Sequence, residues 1–437
     1  MISNFKLFSQ SDLERFKKNL SSQFLLVVMR SSTQIIFVPF MILIWGTENF
    51  GIWVFLFSIP QSFNLLNLNI VEASKTEMII GNYSKKKSYV KKIYANTFYF
   101  LNLNILFLIF LFLVWLNIID ISKFKIFQNS SLDEIKILIF LSFFGFLINI
   151  LNSVFICGIA FKGKINIYTN IEAIYFTTLS LIILVVGLFT DRLFFAFIIY
   201  VLLNLIKLYF TIYYSNKNII LKFSKFDFKF IKKIFYKSIS YYFENSSNIL
   251  KHSGIIFITG IFYSSTTVAY ISTIKTIFYF LPNQLLNILA VSLQFEYSKL
   301  IGLKNYKKLI KILKIKLSII FSLILLYIFL YLIFGEFVFD LWTKDSFNFD
   351  KHLNLFLVIE FSIYIFTYFI ILPFKSENNF FTFSLIDFLS MILVFLIFFI
   401  SQIYLEELKY LFLLIMLTTI FASFIKIIFA REKYLLK

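Results

Sequence analysis

Residues 105–116 read ILFLIFLFLVWL, twelve consecutive side chains without a charge or a polar group. A transmembrane β-strand of about 10 residues would alternate apolar and polar positions. This run does not alternate, and it extends to 93–119, past the roughly 20 residues a helix needs to cross about 30 Å of hydrocarbon. Comparable runs recur along the chain, and spans are predicted at 20–44, 50–72, 93–119, 135–160, 166–189, 193–214, 234–262, 264–295, 311–334, 352–374, 379–401 and 407–429. Composition agrees, since 60% of the 437 residues are apolar and 15% are charged, against about 45–50% and about 25% in soluble domains. With 11 Gly and 4 Pro the chain does not read as disordered. A soluble enzyme is excluded. The expected fold is an all-α polytopic membrane protein with about 12 transmembrane helices.

The net charge of +19 would suggest nucleic acid if it were gathered on one domain. It is instead dealt into alternate loops. Of the 42 Lys and Arg, 29 lie in the two tails and in the loops near 73–92, 161–165, 215–233, 296–316 and 375–378. Lys207, Lys237 and Lys426, at adjoining span ends, bring that side to 32, whereas the opposite loops hold 7 basic and 11 acidic residues. The positive-inside rule then places both termini in the cytoplasm and the basic face against anionic lipid, with no nucleic-acid partner. No cleavable signal peptide is expected. Phe5, Phe8, Leu13, Phe16 and Leu20 suggest either a surface-lying helix ahead of the first span or a frayed tail. Trp45, Trp53 and Trp342, near span ends, read as interface anchors. Cys157 stands alone, so neither a disulfide nor a Cys-based metal site is expected.

An internal repeat organises the spans. Gly81 opens GNYSKKKSYVKKI after the second span and Gly302 opens GLKNYKKLIKILK after the eighth, an offset of 221. Arg30 and Lys251 share that offset, and Pro60 and Pro282 differ by 222. Six helices per repeat leave both halves in the same orientation, related by an axis along the membrane normal. The expected domains are an N-lobe at 1–215, a cytoplasmic linker at 216–233 and a C-lobe at 234–437.

Charges at bilayer depth cost roughly 2.5–3.5 kcal/mol on insertion scales, so they mark interior surfaces. Gln23, Arg30 and Gln34 fall on one face of the first span. Ser240, Glu244, Ser247 and Lys251 do so in the seventh, with Asn248 and His252 alongside. Ser272, Lys275, Tyr279 and Asn283 repeat the pattern in the eighth. One reading is a hydrated cationic cavity for an anion, built on Arg30, Lys251 and Lys275 with Gln34, Asn248 and Asn64, since guanidinium offers phosphate a planar fork of donors. The other is that each cation neutralises a carboxylate. Glu172 and Asp387 are expected near the interface, and Glu244 and Glu360 are candidate coupling-ion sites, with Glu360 equally able to pair with Lys275. Asn64 and Asn67 could line the cleft or hydrogen-bond between helices.

No Walker loop, HExxH, nucleophile elbow or Cys/His cluster occurs, so no catalytic residue, metal site or cofactor is expected. Twelve spans, cytoplasmic termini, an amphipathic start, the first-span arginine, GTENFGIW (46–53) and EASKTEMIIGNYSKKK (72–87) together resemble the polysaccharide flippases. These belong to the multidrug/oligosaccharidyl-lipid/polysaccharide (MOP) superfamily, with the O-antigen unit flippase the closest type. The resemblance spans essentially the whole chain and rests on layout more than on a diagnostic string. It implies a bacterial inner-membrane protein of two six-helix lobes forming a V. It also implies a carrier for undecaprenyl-diphosphate-linked oligosaccharide working by alternating access beside a polysaccharide polymerase machinery. Arg30 matches the family's first-span arginine, whereas Lys251 and Lys275 come from the stripe and the repeat. Membrane potential, proton and sodium coupling all remain open as energy sources. Two alternatives stand: a multidrug or ion-coupled exporter on the same fold, and, more remotely, an integral-membrane polymerase, which the short outer loops disfavour.

Overall fold

The computed structural model describes residues 10–67, 69–83, 87–128, 131–162, 164–219, 226–302, 305–377, 379–401 and 408–431. Phe5 and Phe8 of the amphipathic start, and most of the acidic loop at 404–409, lie outside them. The described chain is helical: α1 (Gln10–Phe63), α2 (Ile70–Tyr83), α3 (Lys87–Ile118), α4 (Leu132–Ala160), α5 (Ile165–Phe189), α6 (Leu193–Asn216), α7 (Phe228–Ile249), α8 (Ile255–Phe262), α9 (Ser265–Lys275), α10 (Leu281–Gly302), α11 (Tyr306–Thr343), α12 (Lys351–Ser376), α13 (Phe381–Ser401) and α14 (Lys409–Ala430). Among the described residues, nine helices are long and apolar enough to cross a membrane.

The first of these, Ser21–Leu66, has 46 residues, about 69 Å if straight and hence two crossings. They meet at Gly46, whose φ of 75° and ψ of 170° break the helix in a region essentially reserved for glycine. Trp45 and Trp53 flank the break and are buried, with ring centroids 5.6 Å apart, and Trp53 also meets Phe197 at 4.7 Å. They are therefore packing residues seating the kink, which corrects the expectation of interface anchors. The α7–α8 and α9–α10 stretches, with their polar stripes, cover the predicted seventh and eighth spans and are not among those nine. Each is joined through a π-helical turn, Leu250–Gly254 and Thr276–Phe280.

The second span is discontinuous. After Phe63 comes a 3₁₀ turn, Asn64–Leu66, and the α-helix resumes only at Ile70, past Asn69 with φ of 48°. Backbone groups freed inside a bilayer must find partners. Tyr242 Oη donates to Leu65 O at 3.1 Å and Asn104 Nδ2 to Leu66 O at 3.4 Å. Asn67 Nδ2 donates to Asn64 Oδ1 at 3.2 Å. The eighth span shows the same logic. Pro282 has no N–H to offer the carbonyl four residues back, which is Phe278 O, and Tyr327 Oη donates to that oxygen at 2.6 Å.

The helices fall into two compact units, one of Met1–Tyr242 with Ile256–Ala269, the other of Phe243–Ile255 with Tyr270–Lys437. In the first, α4 packs on α6, α5 on α6, α1 on α5 and α3 on α4. In the second, α12 packs on α14, α13 on α14 and α11 on α12. Once spans are numbered from each unit's start, α4–α6, α5–α6 and α3–α4 correspond to α12–α14, α13–α14 and α11–α12. α3 and α11, equivalent by that count, expose apolar faces such as Leu106, Phe110, Phe329 and Leu332, as lipid-facing helices do.

A Cβ at position 46 would meet no atom within 4 Å, so Gly46→Ala isolates backbone strain from steric clash. The substitution is expected to destabilise the protein by about 1–3 kcal/mol, read as a lowered thermal midpoint in detergent. An unchanged midpoint would mean the break is not fixed by its dihedrals.

Candidate functional site

Each unit encloses its own cluster of ionised side chains. In the first, Glu172 projects from α5 between two cations, with Arg30 Nη2 of α1 at 3.4 Å and Lys207 Nζ of α6 at 3.7 Å. Lys207 Nζ also donates to Asn149 Oδ1 at 2.6 Å and lies 4.2 Å from the centre of the Tyr175 ring. The Arg30 guanidinium carbon lies 4.3 Å from the centre of the Phe176 ring. The side chains differ in access: Lys207 is 5% exposed and Glu172 9%, but Arg30 33%. Glu172 and Lys207 are thus buried partners rather than the interfacial acid and span-end lysine expected from their positions.

In the second unit Lys251 stands on the π-helical turn and pairs with Glu360 of α12, which also accepts from Thr419 Oγ1 at 3.3 Å. Its ammonium lies 3.8 Å from the Tyr364 ring centre and 5.3 Å from that of Tyr279. Lys275 does not pair with Glu360. Its ammonium donates to Lys251 O at 2.8 Å and to His252 O at 3.2 Å, two carbonyls on the turn where a π-helix disrupts the usual backbone ladder. His252 meets the Tyr279 ring at 5.0 Å.

A second cluster in this unit joins Glu244 to Lys375 and Asp387 to Lys426 at 2.5 Å. Both pairs line a pocket with Ser247, Asn248, Tyr364 and Tyr368. Glu244 is therefore paired from α12, and Asp387 holds a lysine that is 3% exposed.

The residues read from sequence are distributed accordingly. Arg30 lies in the first unit's triad, with Gln34 half-buried one turn further along α1. Asn64 belongs to the break in the second span. Lys251, Lys275 and Glu360 meet at the π-helical turn, and Glu244 and Asn248 share the neighbouring pocket. Lys207, Lys375 and Lys426 were missed as partners because each sits near the end of a long apolar run. One signal for them was available. Lys207 and Lys426 are 219 positions apart, close to the repeat offset, and each pairs with a carboxylate on the preceding span. Among the described residues no group of three or more His, Cys, Asp or Glu is placed to hold a metal ion.

Removing one member of a buried pair strands the other, at about 3–5 kcal/mol, whereas replacing both with apolar groups is often neutral. Lys251→Met and Glu360→Leu are each expected to lower the detergent unfolding midpoint markedly, and the double variant to recover most of the loss. Losses that simply add would mean the two side chains do not act as a pair.

The fold has solved counterparts. An inward-facing multidrug resistance MATE family transporter of the MOP superfamily aligns over 95% of this chain and 98% of its own, with a TM-score of 0.65 and 13% identity. An outward-facing MATE family transporter aligns over 94% and 95%, with a TM-score of 0.56 and 13% identity. A MOP superfamily transporter from Pyrococcus furiosus, described as having a binding pocket of reverse polarity, aligns over 94% and 95% at a TM-score of 0.55 and 14% identity. The chain therefore has the two-lobe helical fold of these transporters. No protein-family profile and no curated protein sequence matches it.

Proposed function

We propose that this protein carries a lipid-linked anionic substrate across the membrane by alternating access, with an undecaprenyl-diphosphate-linked oligosaccharide as the cargo. The supporting observation is the charge balance at the two buried clusters. Arg30 and Lys207 face the single carboxylate of Glu172, while Lys251 pairs with Glu360 and Lys275 donates to the carbonyls of Lys251 and His252 beside that pair. Each cluster holds one cation more than it has acids, a polarity suited to a diphosphate.

Arg30 is the first anion ligand in this reading. It is the exposed member of its triad, and its contact with Glu172 is long at 3.4 Å. When its guanidinium swings to a diphosphate, Lys207 still compensates Glu172, so no buried carboxylate is stranded. Two cations on one acid allow one of them to be lent. Lys251 is more enclosed and comes to the substrate only if its π-helical turn rearranges.

A multidrug exporter that binds cations through carboxylates is less well supported. Glu172, Glu244, Glu360 and Asp387 are each engaged by a lysine or arginine. The same engagement leaves Glu244 and Glu360 poorly placed as coupling-ion sites and favours electrical drive. Negative charge leaving a negative-inside cell gains about 2.3 kcal/mol per elementary charge per 100 mV. The inward- and outward-facing similar structures are the two states such a cycle needs, and the Pyrococcus furiosus protein is a precedent for reversed pocket polarity on this fold.

The test is rescue of surface polysaccharide in a flippase-null bacterial strain, with membrane levels matched to wild type. Arg30→Ala is expected to reduce rescue at least tenfold and Arg30→Lys to retain part of it, because the charge survives without the planar fork. Full rescue by Arg30→Ala, or no rescue by the wild-type chain, would overturn the reading.

A further inference from the structure

At the lysine-rich end of the first unit a groove of about 590 Å³ opens between the ends of α2, α3, α4 and α6. Its floor is apolar, made of Val90, Phe161 and Ile219, all buried. Its rim carries Lys87 and Lys91 from the first turns of α3, Lys162 just past α4 and Lys217 just past α6, all exposed. Asn82 Nδ2 donates to Phe161 O at 3.3 Å, tying the end of α2 to that of α4, so the walls are joined.

Three helix C-termini point into the groove, and lysines are the usual answer to such ends. The magnitudes do not balance, however. A C-terminus is worth about half a negative charge and the α3 N-terminus about half a positive one, so the ammonium groups of Lys87, Lys91 and Lys217 by themselves leave an excess of about two. Among the described residues the lining includes no carboxylate. On nearby turns Glu77 accepts from Tyr89 Oη at 3.0 Å, and Asp227 pairs with Lys92 at 2.8 Å.

The approach to the groove identifies the ligand class. Along α6, Leu202, Ile206, Tyr209 and Tyr213 form an exposed apolar and aromatic stripe. It climbs at helical spacing to Lys217, whose ammonium sits 4.2 Å from the centre of the Tyr213 ring. An apolar track rising through tyrosines to a basic rim suits an amphiphile with acyl chains along the helix and a phosphate among the lysines.

We infer that this groove is a binding site for the phosphate-bearing headgroup of an anionic phospholipid, seated in the membrane leaflet on the lysine-rich side. The inference does not depend on the transport reading, since none of these residues belongs to the charge clusters.

The full chain, purified in dodecyl maltoside and delipidated, is titrated with phosphatidylglycerol while the unfolding midpoint is followed. Phosphatidylcholine and inorganic pyrophosphate are titrated in parallel. The wild type is expected to gain stability with phosphatidylglycerol only. Replacing all four rim lysines with Gln is expected to raise the half-saturating lipid concentration at least ~tenfold, as loss of several surface cations implies. A control with Lys307, Lys308, Lys311 and Lys314 changed to Gln removes equal charge from the exposed start of α11 and is expected to bind like wild type. Should the fourfold rim variant fail to fold, Lys217→Gln with native mass spectrometry of bound lipid gives the same comparison. Pyrophosphate stabilising as well as the lipid would overturn the lipid assignment in favour of a soluble phosphate ligand. Equal titrations in rim variant and control would overturn the site.

Discussion

An ionised side chain inside a bilayer cannot be left alone, and the interior of this protein is arranged around that constraint. Desolvating a carboxylate or an ammonium costs several kcal/mol even after relaxation, and only a close partner offsets it. Glu172, Glu244, Glu360 and Asp387 are each met by a lysine or an arginine of the same unit. The partners come from different helices, so the pairs also tie the bundles together: α1 to α5 and α6, the seventh span to α12, and α13 to α14. Lysines and arginines outnumber carboxylates at two of these clusters, the surplus on which the proposed anion binding rests.

Backbone groups obey the same rule. Where the second span breaks at Asn64–Asn69, Tyr242 and Asn104 take up carbonyls that the interrupted helix leaves. Where the seventh span widens into a π-helical turn, the Lys275 ammonium does so. Irregular backbone at membrane depth is tolerated only when satisfied in this way. It concentrates here on the spans that also carry the polar side chains. The departures from regular helix fall on the second, seventh and eighth spans, whereas Arg30, Glu172 and Lys207 stand on regular stretches of α1, α5 and α6.

Much of this was legible beforehand, for identifiable reasons. A bilayer demands about 20 apolar residues per crossing, so the helical membrane class follows from a run such as 105–116. Arg30, Lys251 and Lys275 stood out because charge is rare in such runs. Their partners did not. Arg30 and Glu172 are 142 positions apart, and nothing local to either side chain names the other. Glu172 and Lys207 read as interfacial from their distance to a span end, whereas neighbouring helices bury them. The tryptophans misled in the same way, since aromatic residues near a span end can seat a kink as readily as anchor an interface. The break in the second span, preceded by Pro60 and followed by three asparagines within six positions, carried a local signal that apolar-run counting passes over.

The sign of the charge moved during transport tests the central claim most directly. Proteoliposomes holding the purified chain are assembled on a solid-supported membrane and supplied with a lipid-linked diphosphate oligosaccharide, then separately with a lipophilic organic cation. The expected result is a transient current of the polarity of a moving anion, produced by the diphosphate substrate alone and lost in Arg30→Ala. A current carried by the organic cation, with none from the diphosphate, would contradict an anion-selective interior and favour a drug exporter on the same fold.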